Sequence, residues 1–180
     1  MERWRVIVLG VDPGSRATGY GVVERSDGLL RLVECGAIRS TPRAPLSERL
    51  REIFQGITEV IDRSRPDVLC IEDVFYGPNV RTTVVLGHAR AAVMLAAALH
   101  GIPVNEYPPA AVKSAIVGTG MARKRQVALM VKEHLGLESP PRPADAADGT
   151  AVALCHLFRA RFESSDDGRP GGVGRKLRRD

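Results

Sequence analysis

Short apolar runs rich in valine and isoleucine open this chain, and helical spacing takes over near its first quarter. Residues 5–12, RVIVLGVD, are too short and too β-branched for a helix and read as a buried strand. Pro13-Gly14-Ser15 breaks that run. Residues 18–25 and 29–38 read as two further strands, with Ser26-Asp27-Gly28 as the turn, so the first three strands form an antiparallel meander. From Leu46 the apolar positions Leu50, Ile53, Ile57, Val60 and Ile61 follow a helical period, which Ser64-Arg65-Pro66 ends. A strand at 67–72, a loop at 73–79, a helix at 80–100 and a strand at 102–107 follow. Pro108-Pro109 opens a short helix to 118, and residues 122–135 and 144–162 make two more. The order βββ-α-β-α-β-α-α-α predicts one α/β domain over residues 1–162, a mixed five-stranded sheet flanked by helices. Residues 163–180, rich in Gly, Ser and charge, are expected to form a disordered basic tail.

The helix at 80–100 is apolar nearly all the way round, so it needs partners on more than one side. One face is expected on the sheet and the other on a second helix, either within the chain or in a second copy. We favour a homodimer. His88 and Arg90 interrupt this stretch and argue against a membrane span, and the N-terminal apolar run is too short for a signal peptide. Cys35, Cys70 and Cys155 fit neither a zinc spacing nor a disulfide framework and read as reduced thiols in apolar segments. A soluble cytoplasmic protein is expected.

Charge adds a partner. The net charge is +5, yet residues 1–72 balance acids against bases, while residues 108–132 carry Lys113, Arg123, Lys124, Arg125 and Lys132 without a single acid. That stretch suggests a polyanion, with nucleic acid foremost. Against it stand four carboxylates in apolar settings. Asp12 and Glu72 close strands, and Asp145 and Asp148 lie three apart on one face at the start of an apolar helix. Acids that converge repel one another unless a cation intervenes, so the pattern points to divalent metal and phosphoryl-transfer chemistry. Asp73, adjacent to Glu72, must point the other way and reads as a loop or surface charge. The glycines of GVDPGSRATGYG match no nucleotide-binding fingerprint; they allow a tight turn and close backbone approach, including that of a phosphate to Asp12. Lys113, Lys124 and Arg125 are candidate phosphate contacts, and Phe75 in its loop is a candidate for stacking on or wedging between bases. Tyr76 reads as a loop anchor, and the four histidines lack metal spacing.

Taken together, GVDPGSRATGYGVV, IEDVFYGPN with LGHARAAV, and AAVKSAIVGTGMARKRQV with ADAADGTAVALCH resemble the RuvC family of crossover-junction endonucleases, in the ribonuclease H-like superfamily. The resemblance spans about residues 5–160. It implies a sheet whose fourth and fifth strands run parallel to the first, and cutting of four-way DNA (Holliday) junctions at symmetric positions by a homodimer with Mg²⁺ or Mn²⁺. Asp12, Glu72, Asp145 and Asp148 take the places of the family's catalytic metal ligands, holding two ions per site. Phe75 takes that of its loop aromatic, and Lys113 and Lys124 those of its basic residues near the cut strand. A RuvA–RuvB branch-migration machine is the implied partner. A sugar-kinase or actin-like ATPase shares the strand-Asp-Gly opening but needs two such domains. A binding module without catalysis has no use for four acids that repel DNA. A nuclease of the same superfamily with another substrate is excluded only by the resemblance.

Overall fold

The computed structural model of the protein describes residues 5–73 and 79–166, with side chains to residue 160. Strands β1 (Arg5–Asp12), β2 (Ala17–Ser26) and β3 (Leu29–Arg39) form the antiparallel meander. Asp27 (φ 51°) and Gly28 (φ 82°) make a two-residue turn, the left-handed pair whose twist matches that of the strands it joins. Helix α1 (Leu46–Ser64) buries Ile53, Ile57, Val60 and Ile61, and it stops where Arg65 turns left-handed and donates its N–H to the Ile61 carbonyl at 2.8 Å. Strand β4 (Val68–Glu72) then pairs parallel to β1. Helix α2 (Val80–Leu99) starts at Asn79, whose side chain accepts from the Thr82 N–H at 3.1 Å. Strand β5 (Val104–Tyr107) runs parallel to β4, and α3 (Pro109–Val117), α4 (Lys124–His134) and α5 (Ala144–Asp166) complete the described chain. The sheet order is β3-β2-β1-β4-β5, the mixed sheet of the ribonuclease H-like arrangement expected above. Helix α5 continues four residues past its predicted end, and the tail from 167 onward lies outside the described residues.

The sheet is covered on both faces, which is why β1 and β4 read as continuous apolar runs. Side chains alternate along a strand, so each run feeds two cores. Val8 and Cys70 enter one core with Val152 and Leu154 of α5 and Val131 of α4. Leu9, Val11, Leu69 and Ile71 enter the other with Ile53 and Ile57 of α1 and Val93 and Ala96 of α2. Cys70 and Cys155 are buried, Cys35 is half-buried, and all three are free thiols.

Helix α2 reconciles its all-round apolar character in only one direction. Ala89, Val93, Ala96 and Ala97 are buried against α1 and the sheet, so the inner face meets both expected intramolecular partners at once. Val80, Val84, Leu95 and Leu99 remain half to three-quarters exposed on the single chain. This helix is long and apolar enough to cross a bilayer by length and composition alone, as core helices can be. Its Arg90 is instead ion-paired to Asp73 and Glu106 at the ends of the sheet.

Candidate active site

Strand register alone brings the first two acids together. Val11 pairs with Ile71 across β1 and β4, and each strand then ends one residue later, at Asp12 and at Glu72. Adjacent strands lie about 4.8 Å apart, so these carboxylates begin as neighbours. Val11 and Ile71 face the α1–α2 layer. One residue on, Asp12 and Glu72 must face the opposite layer, where α5 runs.

Helix α5 lies directly on β1 and β2 because glycine clears its path. A Cβ on Gly19, the β2 partner of Asp12, would stand 1.9 Å from the Asp145 carbonyl oxygen. A Cβ on Gly149 would stand 2.5 Å from the Cα of Tyr20. No side chain fits at either point. The close approach anticipated for a phosphate at these glycines is thus made by the helix that carries Asp145 and Asp148, a packing constraint that local turn reasoning had no means to detect.

The electrostatics register the crowding. Burial first, and then the charge of Asp148 and to a lesser degree Asp145, raise the Asp12 pKa to about 6, with Lys124 opposing. Burial, Asp12 and Asp148 raise Glu72 to about 7, with Lys124 and Lys113 opposing. The Lys124 ammonium, on the first turn of α4, donates to Asp148 Oδ2 at 2.6 Å. Burial pulls its pKa down, but that hydrogen bond and the charges of Asp148, Asp12 and Glu72 outweigh it and the net shift is upward. Lys113, half-buried on α3, contributes its charge to Glu72. Arg125 is exposed beside Lys124 and forms no ion pair with the carboxylates among the described residues. Phe75 and Tyr76 lie outside the described residues. Asp73 turns away from the cluster: it meets Arg90 at 3.4 Å, and its N–H donates to the Tyr107 carbonyl at 2.8 Å.

The structure therefore gathers Asp12, Glu72, Asp145, Asp148, Lys113 and Lys124 at one end of the sheet. Among the described residues no three acids, histidines or cysteines already form a cage for an ion. The donors are nonetheless all carboxylate oxygens, which suit hard divalent cations. Burial first, and then repulsion from the neighbouring acids, hold Asp12 and Glu72 above the usual carboxylate range, and a cation would relieve the repulsion. What can be done chemically at such a place is metal-assisted hydrolysis of a phosphodiester. One basic feature of this sheet end escaped the sequence altogether: Arg16, Arg39, Arg43 and Arg49 share a cavity. They are scattered through a segment whose charges balance, so only folding reveals them.

Comparison with known proteins agrees. The family model described as crossover junction endodeoxyribonuclease RuvC matches residues 8–156. The RuvC of Chloroflexus aggregans is 48% identical over 152 residues, covering 84% of this chain and 93% of the relative. That of Pelotomaculum thermopropionicum is 45% identical, over 88% of this chain and 96% of the relative. Among solved structures, Thermus thermophilus RuvC in complex with a Holliday junction substrate superimposes with a TM-score of 0.82 at 38% identity, covering 88% of this chain and 97% of that one. The yeast mitochondrial Holliday junction resolvase Ydc2, at 14% identity and a TM-score of 0.65, shares the fold.

Proposed function

This chain belongs to the crossover junction endodeoxyribonuclease RuvC family, and from that premise we propose how it works. It is an endodeoxyribonuclease that resolves four-way DNA junctions in recombination and repair. Its site would hold two divalent ions, Mg²⁺ or Mn²⁺, through Asp12, Glu72, Asp145 and Asp148. The observation that carries this assignment is the meeting of two register-neighbour acids with two acids of a helix pressed onto the sheet, at raised pKa values. When bound, such ions supply a nucleophilic water at neutral pH and neutralise charge on the scissile phosphate.

The protein's own groups do the rest. Asp12 and Glu72 must shed their protons before they can accept a cation, so metal affinity rises with pH through about 6 to 7. Lys124 donates to Asp148 at 2.6 Å, and with cations on the carboxylates its ammonium would be available to the scissile phosphate. Lys113 adds positive charge from the Glu72 side. In-line hydrolysis leaves 5′-phosphate and 3′-hydroxyl ends. Arg125 contacts a phosphate around the site, and Phe75 stacks on or wedges between bases.

Two copies, joined through the exposed apolar face of α2, place two sites about a two-fold axis that matches the near symmetry of the junction. The nuclease domain, whose last helix runs to Asp166, acts in the cytoplasm with a RuvA–RuvB branch-migration complex. Strand cutting of a synthetic four-way junction against linear duplex, with Mg²⁺ or Mn²⁺, tests the reading. Wild type cuts the junction in paired strands, and Asp12→Asn binds it while cleaving about 10³-fold more slowly. Cleavage at the wild-type rate by that variant would refute the assignment.

A further inference from the structure

A second charged site lies at the same end of the sheet. Arg16, Arg39, Arg43 and Arg49, with Ser40 and Pro42, line a cavity of about 600 Å³. The register locates it. Asp12 pairs with Gly19 and Gly19 with Ala37, while Arg39 lies two residues farther along β3. Two interstrand steps of about 4.8 Å put β3 roughly 10 Å from Asp12. Arg49 belongs to α1, whereas Lys113 and Lys124 belong to α3 and α4 in the opposite layer. The carboxylates thus have basic groups on both sides.

The walls of this cavity are tied together without any ligand. Ser40 is buried; its N–H donates to the Arg16 carbonyl at 3.1 Å and its hydroxyl to the Ser15 carbonyl at 3.1 Å. Glu52 of α1 accepts from the Thr41 N–H at 2.7 Å and from its hydroxyl at 2.6 Å, which pins the next turn of the loop. Arg43 is held in the left-handed region at φ 65°, a conformation that costs a non-glycine residue energy. None of the four arginines forms an ion pair among the described residues, and Arg49 feels the charge of Glu52 only from beyond ion-pair distance. Four guanidinium groups without an ion pair among the described residues thus face one cavity; water screens their repulsion, and an entering anion would remove what is left. Their planar forks match the oxygens of a phosphate.

We propose that this arginine cavity binds a backbone phosphate of the substrate DNA, on the side of the carboxylates away from Lys113 and Lys124. The inference rests on the DNA-cutting reading above and adds to it a second anchor for the strand. A phosphate held there fixes where the strand crosses Asp12, so the cavity serves positioning and contributes to affinity through counterion release.

The test uses Asp12→Asn protein, so that binding is measured without cutting, and compares it with the same protein carrying Arg39→Gln and Arg43→Gln. The added pair is expected to raise the junction Kd about tenfold near physiological salt, and to lower the slope of log K against log salt by about 1 to 2. Arg39→Lys with Arg43→Lys should restore the slope but only part of the affinity, because the fork is lost. Thermal midpoints within about a degree of the parent establish that the fold is intact. Unchanged Kd and salt slope in the Gln pair would overturn the proposal. So would saturable binding of inorganic phosphate that the Gln pair abolishes while DNA affinity stays the same, since the cavity would then serve a free anion. Failure of the wild type to cut the junction would instead sink the nuclease reading.

Discussion

Two charged regions share one end of the sheet, and they are built on opposite plans. The carboxylate cluster packs like charges into a partly buried place, with the Lys124–Asp148 ion pair as its direct counterweight. The arginine cavity gathers like charges at the surface, from the end of β3, the first turn of α1 and two loops that Ser40 and Glu52 brace. In the first, desolvation sets the energetics and raises Asp12 to about 6 and Glu72 to about 7. In the second, water screens the repulsion and geometry alone is stored. The difference teaches where a missing partner matters for stability and where it matters only for binding.

The comparison is broken most severely by filling the space that the acids depend on. Gly149→Val drives a side chain into the Tyr20 backbone and lifts α5 from β2. A loss of about 3 kcal/mol or more in chemical denaturation is expected, with cleavage lost as well. Preserved stability would mean that α5 can shift without cost. The cavity's arginines offer no such position, because they are half-buried or exposed.

Next comes pH. In metal-free protein Asp12 titrates near 6 and Glu72 near 7, against ordinary values of 3.8 and 4.5. The folded state therefore holds these protons more tightly than the unfolded chain. Their contribution is most favourable below about pH 4 and is lost as pH rises to about 7. Relative to Asp12→Asn, the wild type should lose on the order of 2–3 kcal/mol between pH 4 and 7.5 in chelator. Saturating Mn²⁺ should erase most of that difference. Parallel curves for the two proteins would show that Asp12 is relieved by some other group. Replacing the cavity arginines should leave the pH dependence of stability where it was.

The smallest effect concerns Lys124. If its ammonium holds a place that a cation must take, Lys124→Gln should bind Mn²⁺ about three- to tenfold more tightly by calorimetry, while cutting more slowly. Weaker metal binding in the variant would make Lys124 an organiser of Asp148 instead of a competitor.

Much of this was legible in the chain because each acid ends or interrupts an apolar pattern. Asp12 and Glu72 were readable as strand ends, and alternation alone separated Glu72 from Asp73, which the structure places against Arg90. The lysines stood out in a stretch without acids. Register and layering were not readable. That Gly19 receives a helix, and that Asp145 and Asp148 arrive with that helix, depends on strand β2 and helix α5 meeting across more than a hundred residues. The arginines were invisible for a different reason. Arg16, Arg39, Arg43 and Arg49 are spread over more than thirty residues of a segment whose charges balance overall, so no single stretch marks them as one group before the fold gathers them.

Gly19 and Gly149 have no side chain to offer a substrate, yet the position of half the carboxylates depends on their lacking a single carbon atom. In a library of all single substitutions selected for junction cutting, both should rank with Asp12 as sites where nothing else survives. A screen that counts only activity would then number them among the chemical residues. Sorting the same library for folded protein would separate the classes, since Asp12→Asn keeps its shape and Gly149→Val does not. The chain thus carries two kinds of indispensable position, one defined by an atom it supplies and the other by an atom it withholds.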